Sequence, residues 1–148
     1  MRRLGAGIRG VVVSAGVVGL VGVGMPAVAF LAEYGCGEQE ERLGAVLARE
    51  AVLGTAPEGA RPQGRYRGCD DDDRRVVAGA GHRYGGSAEQ VLRYYDEAAP
   101  AAGWRGTEVP GCFAKEVDGT TAYLTVEGPE GGVLLVEVLA DREASAMC

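Results

Sequence analysis

His82 is the first residue to consider for chemistry, because it is the only histidine and every Ser-His or Cys-His mechanism needs an imidazole. Ser14 lies in an apolar N-terminal stretch, and Ser87 stands where it would cap a helix. The sequence contains no G-x-S-x-G and no H-E-x-x-H motif. His82 is therefore predicted to be an exposed strand residue, and a small hydrolase that uses it is a minor alternative.

A run of aspartates directly after Cys69 is the most distinctive polar feature: Asp70, Asp71, Asp72 and Asp73. Hard cations such as Ca²⁺ take several oxygen ligands, and a disulfide at Cys69 would anchor such a site. The run lacks the D-x-D-x-D-G spacing of a calcium loop, and consecutive side chains do not all point one way. We expect a solvated loop, with a divalent-cation site formed by these four residues as the alternative. No other cofactor is indicated.

Three aromatic residues near the middle of the chain, Tyr94, Tyr95 and Trp104, could line a ligand pocket. In a small domain, aromatic side chains beside a helix end more often fill the core. Carboxylates are abundant, but nothing singles out the pair that glycoside hydrolysis would need. We therefore expect a protein that is not an enzyme.

The four cysteines all lie beyond the apolar N-terminal stretch: Cys36, Cys69, Cys112 and Cys148. An even number in an exported chain predicts two disulfides, and no C-x-x-C pair points to zinc. Each bridge would add about 2–4 kcal/mol of stability. The three possible pairings remain open, and buried free thiols are the alternative.

The N-terminus has the pattern of an export signal. Residues 10–32 carry no charge and follow three arginines, which should keep the N-terminus in the cytoplasm. The stretch is long enough for an uncleaved membrane anchor. An A-x-A site at residues 27–29 would instead allow cleavage near Ala29 and secretion. A lipoprotein with its lipid on Cys36 is the third possibility, although Glu33 occupies the place of the usual Leu-like residue.

Charge divides sharply along the chain. Without the three N-terminal arginines the net charge is 12 − 21 = −9. An acidic domain repels phosphate backbones, and no basic stripe is evident, so a nucleic-acid partner is not expected.

Two helices are expected in the exported part. The first covers residues 38–53, with glutamates at its N-terminus and leucines on one face. A Pro- and Gly-rich loop follows at residues 55–68. The second helix begins after Ser87, where Gln90 completes a capping box, and Pro100 should end or kink it near Ala99.

Strands fill the remainder. Two short ones, at residues 75–78 and 82–84, flank a Gly-Ala-Gly turn. Residues 112–117 and 120–127 form a hairpin around Asp118-Gly119, and residues 133–139 form the last strand. Alternation predicts that one face of the sheet points to the core, with the side chains of Phe113, Val117, Ala122, Leu124, Val126, Leu134, Val136 and Val138. Lys115 falls on the same face and is the one charged residue there. The expected fold class is α+β: a small antiparallel sheet with one or two helices on one face.

Several segments together resemble a family of uncharacterised small exported proteins of high-GC actinobacteria. They are Tyr34-Gly35-Cys36, Gly68-Cys69 with the aspartate run, Val91-Leu92-Arg93-Tyr94-Tyr95 with Gly103-Trp104, and the stretch from Gly111-Cys112-Phe113 to Ala122-Tyr123-Leu124. The resemblance covers most of the exported part. It implies export and the fold outline, but no catalytic or binding residue. Pro100 departs from the expected helix pattern.

We therefore expect three segments: an N-terminal signal or anchor (1–33), a helix and connector (34–68), and an extracytoplasmic α+β domain (69–148). The expected role is a non-enzymatic cell-envelope domain that contacts the membrane through its N-terminus and either binds a protein or envelope partner or contributes to surface structure. The alternatives are a Ca²⁺-binding module, a secreted peptidase inhibitor and a small hydrolase.

Overall fold

The structure, a computed structural model, describes residues 35–148. The predicted leader, with its cleavage site near Ala29, lies outside the described residues. Gly35–Cys148 forms one compact unit, and no helix within it is long and apolar enough to cross a membrane.

The described chain contains two α-helices, a short 3₁₀ helix and six strands. The helical elements are α1 (Glu38–Leu47), the 3₁₀ helix (Ala51–Gly54) and α2 (Ala88–Ala101). The strands are β1 (Arg61–Cys69), β2 (Val76–Arg83), β3 (Arg105–Gly106), β4 (Cys112–Val117), β5 (Thr120–Glu130) and β6 (Val133–Ala140).

All six strands form one antiparallel sheet in the order β1-β2-β6-β5-β4-β3. The β1–β2 hairpin forms one side. Helix α2 then carries the chain to the far edge, and β3 to β6 return by short turns until β6 pairs with β2. The fold is therefore α+β with an antiparallel sheet, two helices and two disulfides, as the sequence predicted.

One face of the sheet carries the core, and both helices pack against it. Cross-strand pairs Ala78–Val138, Leu124–Val138 and Phe113–Leu124 lie on this inner face. Leu43 and Leu47 of α1, and Val91, Tyr95 and Ala99 of α2, belong to the same buried cluster. The opposite, outer face has no helix over it in the described part of the chain.

The hairpin register was predicted correctly. Lys115 pairs with Ala122 and Val117 with Thr120, and the turn residues Asp118 and Gly119 have φ of 51° and 77°. Two positive φ values are what a type I′ turn requires, which explains why an Asp-Gly pair specifies it.

The first helix is shorter than predicted. It ends at Leu47, and the chain tightens into i→i+3 hydrogen bonds, including Glu50 N–H to Leu47 O at 3.0 Å, before the 3₁₀ helix. The 3₁₀ helix still buries Val52 and Leu53, so the apolar pattern was real although the helix was not continuous.

The second helix begins as predicted and ends later. The Ser87 side chain accepts the Gln90 N–H at 3.2 Å, and Gln90 Oε1 accepts the Ser87 N–H at 2.8 Å, so the capping box is confirmed. Pro100 lies inside the last turn, and the helix ends at Ala101 rather than near Ala99.

Two segments contain more β-strand than the sequence predicted. Residues 55–68, expected as a loop, contain most of β1, and the two short strands around Gly-Ala-Gly are one continuous strand, β2.

The glycines of β2 allow neighbouring side chains to lie close to its backbone. A Cβ on Gly79 would overlap the end of the Tyr66 ring, so Tyr66 occupies the space above that residue.

The four cysteines form the bridges Cys36–Cys69 and Cys112–Cys148, each with a Cα–Cα distance of 6.3 Å. The first joins the start of the described chain to the end of β1. The second joins the last residue to β4. Because Cys112 lies on the outer face and β5 separates β6 from β4, the C-terminal tail (residues 141–148) passes over β5 on that face.

Candidate functional site

The aspartate run forms the turn between β1 and β2, and three of its carboxylates accept hydrogen bonds within or beside that turn. Asp70 Oδ1 accepts the Asp72 N–H at 3.0 Å, and Asp73 Oδ1 accepts the Arg75 N–H at 3.0 Å. The Arg75 guanidinium is 2.9 Å from Asp73 and 3.8 Å from Asp70. Asp71 Oδ1 accepts the Cys36 N–H at 2.9 Å, which ties the turn to the first disulfide.

These contacts turn three of the four carboxylates toward N–H groups and Arg75. Among residues 35–148 no cluster of three or more His, Cys, Asp or Glu side chains is arranged to hold a metal ion. A Ca²⁺ site at Asp70, Asp71, Asp72 and Asp73 stays a prediction.

A polar crevice of about 360 Å³ separates this turn from the C-terminal tail. Its lining includes Asp73, Arg74, Arg75, Asp141 and Ser145, so both charge signs are present. The crevice is therefore a mixed-charge recess rather than a site for one ion type.

Asp141 organises the start of the tail beside this crevice. Its Oδ1 accepts the N–H groups of Glu143 and Ser145 at 3.0 Å each, and the residue is only 6% exposed. Burial alone would raise the pKa of Asp141, but the hydrogen bonds from Ser145, Glu143 and Ala144 outweigh it and hold the pKa below its usual value.

His82 is buried, so the prediction of an exposed strand histidine was wrong. It is 5% exposed and lies on the inner face between Pro62 of β1 and Leu134 of β6. Neither ring nitrogen has a hydrogen-bond partner among the described residues. Burial, together with the charge of Arg65, lowers the pKa of His82.

The aromatic residues belong to the core or to its border, as expected. Trp104 and Tyr95 are buried, and the Tyr95 hydroxyl donates to the Thr55 carbonyl at 2.8 Å. Tyr94 meets Tyr95 edge-on, with 5.0 Å between ring centroids. These rings hold α2 against the sheet.

Lys115, the irregularity on the core face, is held by an ion pair that the sequence did not reveal. Its Nζ lies 2.8 Å from Glu50 Oε2 and 3.2 Å from the Ala102 carbonyl. It also lies 5.5 Å from the centre of the Trp104 ring. Glu50 comes soon after the end of α1, where a continuous helix had been predicted, so the pairing could not be anticipated.

Strand β1 is the feature of greatest interest for binding, and the sequence prediction missed it. It is an edge strand, and its residues from Arg61 to Gly68 are exposed. It carries Arg65 and Arg67 on the inner face and Tyr66 on the outer face. The signal available in the sequence was the concentration of arginines in RPQGRYRGC, unusual in an otherwise acidic domain.

No family model, no curated protein and no solved structure matches the chain.

Proposed function

We propose that this chain is a cell-envelope protein whose disulfide-stabilised domain lies outside the cytoplasm and binds a partner protein. The observation that carries the proposal is the pair of bridges Cys36–Cys69 and Cys112–Cys148, which use all four cysteines of the chain. Disulfides of this kind form and persist in oxidising compartments.

The leader supports the same location. An uncharged stretch after three arginines is typical of a segment that directs the downstream chain across a membrane. Retention as an anchor would hold the domain at the membrane surface. Cleavage near Ala29 would release it, so both fates place the domain on the same side.

The binding role is supported by surfaces left without a partner in the described chain. The sheet has an outer face that the C-terminal tail covers in part and no described helix covers, and it has an unpaired edge at β1. An open sheet edge is a template for strand pairing that proteins usually cover or protect.

Topology fusions test the location. Alkaline phosphatase, which is active only outside the cytoplasm, and green fluorescent protein, which fluoresces mainly inside it, are each fused after Cys148. We expect an active phosphatase fusion in the membrane or medium fraction and a dark fluorescent-protein fusion. An inactive phosphatase with a bright fluorescent-protein fusion would contradict the proposal.

A further inference from the structure

The outward edge of β1 presents backbone hydrogen-bonding groups at known residues. The Asp70 N–H donates to the Arg75 carbonyl at 2.8 Å, so these two residues form a hydrogen-bonded pair. Pair types alternate along an antiparallel ladder, which puts Arg65 and Arg67 in non-hydrogen-bonded positions opposite Ala80 and Ala78. Their N–H and C=O groups therefore point away from β2, where no strand of residues 35–148 pairs with them.

The usable edge is short and has a defined limit. The pairing of β1 with β2 is interrupted by an irregularity between Pro62 and Gly64, and Pro62 has no N–H to donate. The regular edge thus runs from Gly64 to Cys69, enough for one short added strand.

Charge on this edge is opposite to that of the rest of the domain. Residues 35–148 carry 12 basic and 20 acidic side chains, a net charge of 12 − 20 = −8. Arg61, Arg65 and Arg67 nevertheless lie on β1, and none of them forms an ion pair with another described residue. Arg67 lines a shallow groove with Glu38, Glu41 and a second cation, Arg42, which pairs with Glu38. Glu41 therefore offsets part of the charge of Arg67, and Arg65 is the less compensated cation.

The outer side of the same edge is aromatic. Tyr66 is 41% exposed, lies across Gly79 of β2, and its hydroxyl donates to Glu137 on β6. A side chain of an added strand opposite Tyr66 would meet the ring, while its two neighbours would meet Arg65 and Arg67 on the inner side.

A second copy of this chain is a poor occupant. Two β1 strands paired about a two-fold axis near Tyr66 would place arginine opposite arginine, and like charges directly opposite destabilise a sheet. The same arginines would attract a strand of opposite charge.

We propose that β1 is a docking edge for an extended acidic segment of a partner protein, with acidic side chains at alternate positions around an apolar one. The segment adds to the sheet through the backbone of Arg65 and Arg67 and pairs its carboxylates with their guanidinium groups. This inference rests on the proposed binding function and names the chemistry of its partner.

The first test uses the full-length oxidised chain, ¹⁵N-labelled and kept in a nonionic detergent, with a short capped peptide containing glutamate, valine and glutamate in succession. The amides of Arg65 and Arg67 should show the largest chemical-shift changes and slower hydrogen exchange on titration. The same peptide methylated on its backbone nitrogens should bind weakly, because it cannot complete the ladder.

Arginine-to-glutamate variants distinguish docking at β1 from nonspecific electrostatic attraction between the peptide and the domain. Arg65→Glu should weaken peptide binding by about tenfold, and more than Arg67→Glu does, with an unchanged circular dichroism spectrum. The matched control is Arg105→Glu on β3 at the opposite edge, another exposed arginine without an ion pair among the described residues, which should leave affinity nearly unchanged. A peptide with lysines in place of the glutamates should bind Arg65→Glu better than the wild type.

Four results would overturn the proposal: no peptide binding at millimolar concentration, equal losses for Arg65→Glu and Arg105→Glu, full binding by the methylated peptide, or amide changes produced only by phosphatidylglycerol vesicles. The last would assign this edge to the membrane. The peptide measurements do not depend on where the protein lies in the cell. If the peptide does not bind but the topology fusions place the domain outside the cytoplasm, the docking edge is rejected and the proposed location stands.

Discussion

His82 illustrates how one buried residue can make stability depend on pH. Its imidazole is enclosed on the inner face without a hydrogen-bond partner among the described residues, so the charged form is disfavoured there. In the unfolded chain the ring is hydrated and takes up a proton near the ordinary histidine pKa of 6.5. The unfolded state therefore binds more protons than the folded state when the pH falls below that value.

We predict that the free energy of unfolding falls as the pH decreases from about 7 to about 5.5, because the folded-state pKa of His82 is lowered. The stability is present above the unfolded pKa and is lost as the pH falls through it. Urea denaturation across this range measures the slope. His82→Gln should flatten it, and an unchanged slope in that variant would show that other groups cause the dependence.

Lys115 and Glu50 form an ion pair at the border of the core. The Lys115 side chain is 28% exposed and the Glu50 side chain is 13% exposed. Both charges are therefore partly desolvated, and the attraction between them offsets part of that free-energy cost. The cation also lies near the Trp104 ring, which favours Lys115 over an apolar residue at this position.

We predict that Lys115→Met lowers the free energy of unfolding by about 1–3 kcal/mol, because it leaves the largely enclosed Glu50 carboxylate without its partner. The double variant Lys115→Met with Glu50→Gln should recover part of that loss. Guanidinium denaturation of the wild type and of the single and double variants gives the coupling energy. A double variant whose loss equals the sum of the two single losses would mean that the pair is not coupled.

At the scale of elements, β1 and β2 are strands whose extent could not be predicted from a single sequence. Strand β1 lacks alternating apolar residues because both of its sides are exposed at the sheet edge, so nothing in its pattern predicted a strand. It is ordered by pairing with β2 and by the disulfide at Cys69, which are long-range constraints. The hairpin at Asp118-Gly119 and the cap at Ser87 were predictable because their signals are local.

The candidate site was predicted less well than the fold. The aspartates stood out in the sequence, yet the structure uses three of their carboxylates within the turn and its neighbour Cys36. The open edge with Arg65 and Arg67 could not be proposed before β1 itself was known. Burial of His82 follows from its register with Leu134, which no local pattern reveals.

We predict that Gly79→Ala destabilises the β1–β2 hairpin, because the new methyl group would overlap the Tyr66 ring. The expected loss is about 0.5–1.5 kcal/mol, because the exposed Tyr66 ring can move away but then gives up its hydrogen bond to Glu137. In a Tyr66→Ala background the same substitution should cost much less, since the overlapping atoms are gone. Thermal or chemical denaturation of the four proteins distinguishes the cases, and equal costs in both backgrounds would show that Tyr66 does not lie over Gly79.

For the whole molecule, the two bridges connect the ends of the described unit to its sheet. Cys36–Cys69 holds the segment before α1 against β1, and Cys112–Cys148 holds the C-terminal tail on β4. Each closes a loop of more than 30 residues, with sequence separations of 33 and 36. Closing loops of this size restricts the unfolded chain and stabilises a domain with a modest core.

The proposed location depends most directly on the cysteines being oxidised in the cell. A thiol-alkylating reagent is present while cytosolic, membrane and medium fractions are collected, and the intact mass and disulfide-linked peptides of the protein in each fraction are determined by mass spectrometry. We predict no alkylation before reduction, four alkylated cysteines after it, and linked peptides joining Cys36 to Cys69 and Cys112 to Cys148. Four alkylated cysteines without reduction, in protein recovered from the cytosol, would contradict the central claim.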